Sequence, residues 1–172
     1  MKVCIVSDSH DRGEMLARAI ETAAGEGAEA VIHCGDLVGG NTLRESLRLG
    51  LPIHAIHGNN LGDPVALARM AHRSDGTLTY YGEYASISLG GRRIFVTHYP
   101  HYGHAMACTG DYDLICCGHS HETEVRTQPH IGGGDTWLVN PGTVAGMGAA
   151  PATWVMGDLE DMAFEIRATS PG

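Results

Sequence analysis

The sequence predicts an α/β protein of two packed sheets with helices outside, on three observations. Apolar runs alternate with helical patterns from Lys2 to Arg73, which argues for a parallel sheet with right-handed crossovers. From Thr77 onward the runs are short and glycine turns separate them, as in hairpins. Several apolar runs also end in residues able to carry chemistry: Asp8, Asp36, Asn59, His98 and His119. Strand C-termini are where open α/β sheets place ligands.

The elements follow in order. Lys2–Val6 is an apolar strand, and Ser7–His10 is its loop. Asp11 is the expected cap of a helix over roughly Arg12–Ala24, with Met15, Leu16, Ala19, Ile20 and Ala23 on one face. Ala30–His33 is a second strand, leading through Cys34-Gly35 to Asp36. A short helix over Thr42–Leu49 precedes a third strand, Ile53–His57, which ends in Gly58-Asn59-Asn60. Asp63-Pro64 then starts a helix with a cap and an N1 proline. The second half holds strands at Thr77–Tyr80, Ala85–Leu89 and Arg93–Thr97, the last two joined at Gly90-Gly91. His101–Thr109 is a loop or short helix. Further strands lie at Leu114–Cys117, Glu124–Gln128 and Thr136–Asn140, and Thr153–Gly157 with Met162–Ala168 forms a closing hairpin.

Composition bounds the function. The 172 residues read as a single domain over 1–172, with 43% hydrophobic and 18% charged residues. No apolar run is long enough to cross a bilayer, and Val3–Val6 is too short a core for a signal peptide, so a cytoplasmic protein with no membrane partner is expected. The net charge of −9 comes with no basic stripe, which argues against a long nucleic acid as partner. The five cysteines show no C-x-x-C, and Cys4, Cys34, Cys116 and Cys117 are expected as small core residues. The eleven histidines are the compositional anomaly, and in an acidic chain they point to metal.

Side by side, the strand ends read Asp8-x-His10, Gly35-Asp36, Gly58-Asn59, His98 and Gly118-His119-x-His121. The i, i+2 pairs would point the same way from an extended segment. Mixed oxygen and imidazole donors suit Mn, Fe, Co, Ni or Zn, Mn first, rather than Mg or Ca. Seven such residues with one shared carboxylate serve two ions about 3.5–4 Å apart. Asp36, central in the AVIHCGDLVG stretch, is expected to be the shared ligand.

These motifs resemble those of the calcineurin-like metallophosphoesterases, especially their small prokaryotic phosphodiesterase branch. The resemblance is carried by SDSH at 7–10, GDLV at 35–38, GNN at 58–60, TH at 97–98, GHSH at 118–121 and NPGT at 140–143. It implies a four-layer α/β/β/α sandwich of two mixed sheets flanked by helices. It implies a first divalent ion on Asp8, His10, Asp36 and His121, and a second on Asp36, Asn59, His98 and His119. Asp36 and Asn59 would then be the residues closest to the chemistry, in-line attack of a metal-bridging hydroxide on a small phosphodiester.

The sequence also departs from the family. Asn60 stands where the family often has a histidine able to protonate the leaving group, and an amide cannot do that near pH 7. A preference for good leaving groups follows. Asn60 and His101 are the candidate substrate contacts, and His101 or His104 could supply the missing acid. Asp11 stands where the family often has glycine. His33 and His54 read as core or edge residues, and His57 as a residue supporting the ligands. The competing reading is a non-catalytic metal-binding scaffold or protein-interaction module on the same fold, against which the complete donor set argues. The hairpin-rich second half leaves a homodimer possible through a sheet edge or apolar face.

Overall fold

The computed structural model describes residues 1–169. The strands are β1 (Lys2–Val6), β2 (Ala28–His33), β3 (Ile53–Ala55), β4 (Leu78–Tyr80), β5 (Tyr84–Leu89), β6 (Arg92–Thr97), β7 (Leu114–Cys116), β8 (Thr123–Pro129), β9 (Asp135–Pro141), β10 (Thr153–Asp158) and β11 (Ala163–Ala168). The helices are α1 (Gly13–Gly25), α2 (Arg44–Leu47), α3 (Pro64–Arg73) and α4 (Pro100–Ala107).

One sheet has the order β11-β10-β1-β2-β3-β4 and the other β5-β6-β7-β9-β8. The run β1 to β4 is parallel, as the strand–helix alternation requires. Both sheets are mixed, because hairpins close each of them. Strand alternation assigns the layers. Val3 and Ile5 of β1 meet Ile94 and Val96 of β6 and Leu114 and Cys116 of β7 in the core between the sheets. Cys4 and Val6 face the other way, onto Leu16, Ile20 and Ala23 of α1. Phe95, Ile115 and Leu138 look outward, onto Ala107 of α4. The result is four layers, α/β/β/α.

Local details differ from the expectations. Asp11 does not cap α1: the N-cap is Arg12, without a side-chain cap bond, and the Arg12 guanidinium reaches the Ala145 carbonyl at 3.1 Å. The helix expected over Thr42–Leu49 is a 3-10 turn, Gly40–Leu43, running into a single α-turn. β3 is shorter than expected, and α4 is a helix where a loop was equally open. Asp63 does cap α3, accepting from the Ala66 N–H at 2.9 Å with Pro64 at the start. The closing hairpin, for which the sequence specified no sheet, joins the first one, with β10 antiparallel to β1.

Among the described residues no helix is long and apolar enough to cross a membrane. Cys4, Cys34, Cys116 and Cys117 are free and buried, and Cys108 is free and exposed. Burial pushes the Cys4, Cys34 and Cys117 thiols up, so none offers a ready thiolate.

Candidate metal centre

The ends of β1, β2, β6 and β7 and the segment after β3 bring the donors to one edge of the two sheets. Backbone bonds set the approach of the first two loops. The Asp8 N–H donates to the Gly35 carbonyl at 3.0 Å, and the His10 N–H to the Asp36 carbonyl at 2.8 Å. The expected extended i, i+2 geometry is not what aims these side chains. Asp8, His10, Asp36, His119 and His121 all have positive φ, from 45° to 70°. Asp and His tolerate this region better than most residues, yet each such turn costs about 1–3 kcal/mol. Tight turns, not extended segments, fan the donors out. His121 then lies near Asp8 and His10, while His119 lies near His98.

Two groups of donor atoms result, each with all members within 4.8 Å of one another: Asp8, His10 and His121, and Asp8, Asp36 and His98. Asp8 is common to both, and Asp36 lies close to Asp8 on one side and His98 on the other. Asn59 extends the second group, with its Oδ1 3.1 Å from His98 Nε2. Close packing requires the glycines before the donors. A Cβ on Gly58 would overlap Asp36 Oδ1, and one on Gly118 would overlap the Ser7 hydroxyl.

The protonation pattern shows what these atoms could hold. His98 Nδ1 lies 2.8 Å from the Cys34 carbonyl, which can only accept, so Nδ1 carries a proton. In the neutral ring Nε2 is then a bare acceptor. It faces Asp36 Oδ1 at 3.3 Å and Asn59 Oδ1 at 3.1 Å. Converging acceptors of this kind are satisfied by a cation. In the other group, Asp8 Oδ1 and His10 Nε2 are buried and have no hydrogen-bond partner among the described residues. Buried polar atoms are rarely left orphaned. The residues present therefore fit divalent transition-metal ions held by mixed oxygen and imidazole donors.

The calcineurin-like phosphoesterase superfamily domain matches residues 1–162 of the sequence. The chain belongs to that superfamily. It is 31% identical over 148 residues to the phosphodiesterase MJ0936 of Methanocaldococcus jannaschii, covering 85% of this chain and 86% of that protein. The structure of an archaeal phosphodiesterase matches with a TM-score of 0.88 at 28% identity, covering 98% of this chain and 99% of that one. YfcE, a phosphoesterase from E. coli, matches with a TM-score of 0.67 at 19% identity over 99% of this chain and 100% of its own, which speaks for the fold.

In this chain Asn60 stands behind a carboxylate. Its backbone N–H donates to Asp36 Oδ1 at 2.8 Å and its side-chain amide to Asp36 Oδ2. His101 lies outside both donor groups. Its ring packs on Tyr102 at 4.1 Å and on Tyr99 at 5.7 Å, and Tyr99 in turn touches His98 and His119. His104 faces Glu124 at 3.4 Å.

Three supporting residues carry more than their sequence reading gave them. His33, read as an ordinary core or edge residue, joins two donor loops. Its Nδ1 accepts from the Gly35 N–H at 3.2 Å, so Nε2 holds the proton and donates to the Ser9 hydroxyl at 3.0 Å. Burial, with the nearby His98 adding to it, pushes its pKa down to about 3. Asn140 donates to the Gly118 carbonyl at 2.9 Å, and Thr143 donates to the Asp8 carbonyl at 2.9 Å. The NPGT turn thus braces both the GHSH and SDSH loops. The signal of this in the sequence is the NPGT motif itself, which carries part of the family resemblance. His57, expected as a supporting residue, bonds through Nδ1 to the Tyr80 hydroxyl.

Proposed function

We propose that this protein is a phosphodiesterase that works with two divalent transition-metal ions, Mn first among them. Asp8, His10, Asp36 and His121 would hold one ion, and Asp36, Asn59, His98 and His119 the other. When bound, the ions would supply an activated water and offset the phosphoryl charge. The observation that carries this reading is the convergence at one sheet edge of Asp8 Oδ1 and His10 Nε2, buried without a hydrogen-bond partner among the described residues, and of His98 Nε2, an acceptor in the neutral ring.

The chain's own residues set the rest. Asp36 shares one donor group with Asp8 and His98, and Asn60 donates to both of its oxygens. Asn59 brings a neutral oxygen beside His98, which limits the negative charge facing a phosphate. Hydrolysis would be in-line displacement at phosphorus: water's oxygen bonds to phosphorus and gives up a proton to solvent, the opposite ester bond breaks, and the alcohol oxygen leaves with the bonding pair and takes its proton from solvent. Asn60 does not protonate that oxygen, since it is an amide that already donates to Asp36. Esters of acidic alcohols are therefore the favoured substrates. The similarity to a phosphodiesterase supports a diester over a monoester.

The test is hydrolysis of bis(p-nitrophenyl) phosphate by metal-stripped protein with and without Mn²⁺. Turnover that appears with Mn²⁺ and exceeds that of p-nitrophenyl phosphate supports the proposal. Two bound ions per chain with no turnover of either ester would favour a metal-binding scaffold instead.

A further inference from the structure

A groove opens beside the donor groups, on the outer face of the second sheet. Its origin lies in the seating of α4. Gly103 lets that helix sit close on β7, since even a Cβ there would approach Ile115 to 3.2 Å. The helix packs over β6, β7 and β9. The outer face of edge strand β5 is left open, with Tyr84 60% exposed. Between helix and strand lies a cavity of about 320 Å³, walled by Tyr84, Phe95, Thr97, Tyr99, Tyr102 and Met106. That volume and that aromatic lining match small-ligand sites rather than flat protein contacts.

Three features tie the groove to the donors. The Tyr99 ring stands edge-on to His98 at 5.3 Å and to His119 at 5.1 Å, so one side chain borders both places. Thr97 directly precedes His98 and pairs in register with Tyr84, which places the upper end of the groove at the donor edge. Glu83, also lining the groove, is anchored beside the Gly58-Asn59 segment, because the His57 N–H donates to the Gly82 carbonyl at 2.8 Å.

We propose that this groove is a subsite for an aromatic ring carried by the alcohol esterified to the phosphate, with Tyr99 as the wall between the ring and the phosphorus. The inference rests on the phosphodiesterase reading. Tyr84 and Tyr102 present exposed rings on which a planar group can stack, and stacking of this kind is indifferent to ring identity. The groove alone thus admits either a nucleobase or a phenyl ring. Glu83 separates the two, because its carboxylate can accept from a base N–H that a phenyl ring lacks.

The experiment is calorimetric titration of the Mn²⁺-loaded and metal-stripped protein with methyl phosphate, phenyl phosphate and thymidine 5′-phosphate. The aromatic esters should bind about tenfold more tightly than methyl phosphate. Tyr84→Ala and Tyr102→Ala should remove that advantage and leave methyl phosphate binding unchanged. Glu83→Ala, which removes the acceptor, should weaken the thymidine ester alone if the ring is a nucleobase, and neither ester if it is a phenyl group. Equal binding of all three esters overturns the proposal. So does a change in oligomeric mass by light scattering in the tyrosine variants with ester binding unaltered, since the groove would then be a contact between copies. Retained aromatic preference without hydrolysis of bis(p-nitrophenyl) phosphate would sink the phosphodiesterase reading and leave the subsite standing. Hydrolysis with no aromatic preference would do the reverse.

Discussion

The floor and the rim of the site are built differently. Asp8, Asp36 and His98 form a floor with side chains 0%, 3% and 1% exposed. Each is reached by bonds from other segments: His119 N–H to Asp8, Asn60 to Asp36, and the Cys34 carbonyl to His98. Asn59, Asn60 and His119 form an exposed rim, and the aromatic groove continues it. Buried carboxylates without a counter-ion are costly, so the floor holds stored repulsion that a cation would relieve. The difference teaches that stability and metal binding should pull against each other at the floor, while the rim should be free to set selectivity.

The largest effect expected is at Asp36. Asp36→Asn should lower Mn²⁺ occupancy and reduce hydrolysis by at least about a hundredfold. Yet the metal-stripped variant should melt no lower than metal-stripped wild type, because a buried charge has gone. A variant that melts several degrees lower without metal would break the comparison, since the carboxylate would then be stabilising by itself.

Gly58→Ala comes next. Its Cβ would overlap Asp36 Oδ1 and lie 2.7 Å from the His98 ring, so both floor residues must move. Metal binding and thermal stability should fall together, as inductively coupled plasma analysis and a melting curve would record. Unchanged metal content would mean that the floor is more pliant than its packing implies.

His33 tests whether the floor is braced from below. His33→Ala leaves the Gly35 N–H and the Ser9 hydroxyl without their partner, at about 1–3 kcal/mol for each stranded group. Its pH dependence has a defined sign. The folded pKa of about 3 lies below the ordinary 6.5, so the unfolded chain takes up the proton first. Stability is unaffected by this group above pH 6.5 and falls as the pH drops from 6.5 toward 3. His54 and His57, also lowered by burial, act in the same direction. Urea midpoints of metal-stripped protein should therefore fall from pH 7 to pH 5, and less steeply in His33→Gln. An identical slope in the variant would remove His33 from the account.

The smallest effect belongs to the rim. Asn60→Ala removes a side-chain bond to Asp36 but leaves the fold intact, so Mn²⁺ affinity should weaken about tenfold with little change in melting temperature. Asn60→His should raise turnover of alkyl esters relative to nitrophenyl esters if the missing acid limits the reaction. A uniform change across esters would place the limit elsewhere.

Much of this organisation was legible in the chain. Val3 to Val6 alternate cleanly between two cores because β1 is buried on both faces, so the run reads as unbroken apolar sequence. The donors were legible because each follows such a run. What the chain concealed was angular. Nothing in Asp8-x-His10 announces that both residues turn left-handed, because the turn is imposed by bonds to Gly35 and Asp36 far along the sequence. His33 was hidden for the same reason: an imidazole inside an apolar strand looks alike whether it is idle or bonded to two loops. The return of β10 to β1 was also hidden, since a hairpin pattern does not say which sheet receives it.

That return has a consequence for the order in which the protein can be made. β1 delivers Asp8 and His10, yet its second neighbour, β10, pairs Val155–Asp158 with Lys2–Ile5. Thr143, which bonds the Asp8 carbonyl, also lies late in the chain. During synthesis the first strand therefore waits, half-paired, until residues near the far end have left the ribosome. Contacts of such long sequence separation slow folding and lengthen the exposure of an open strand edge.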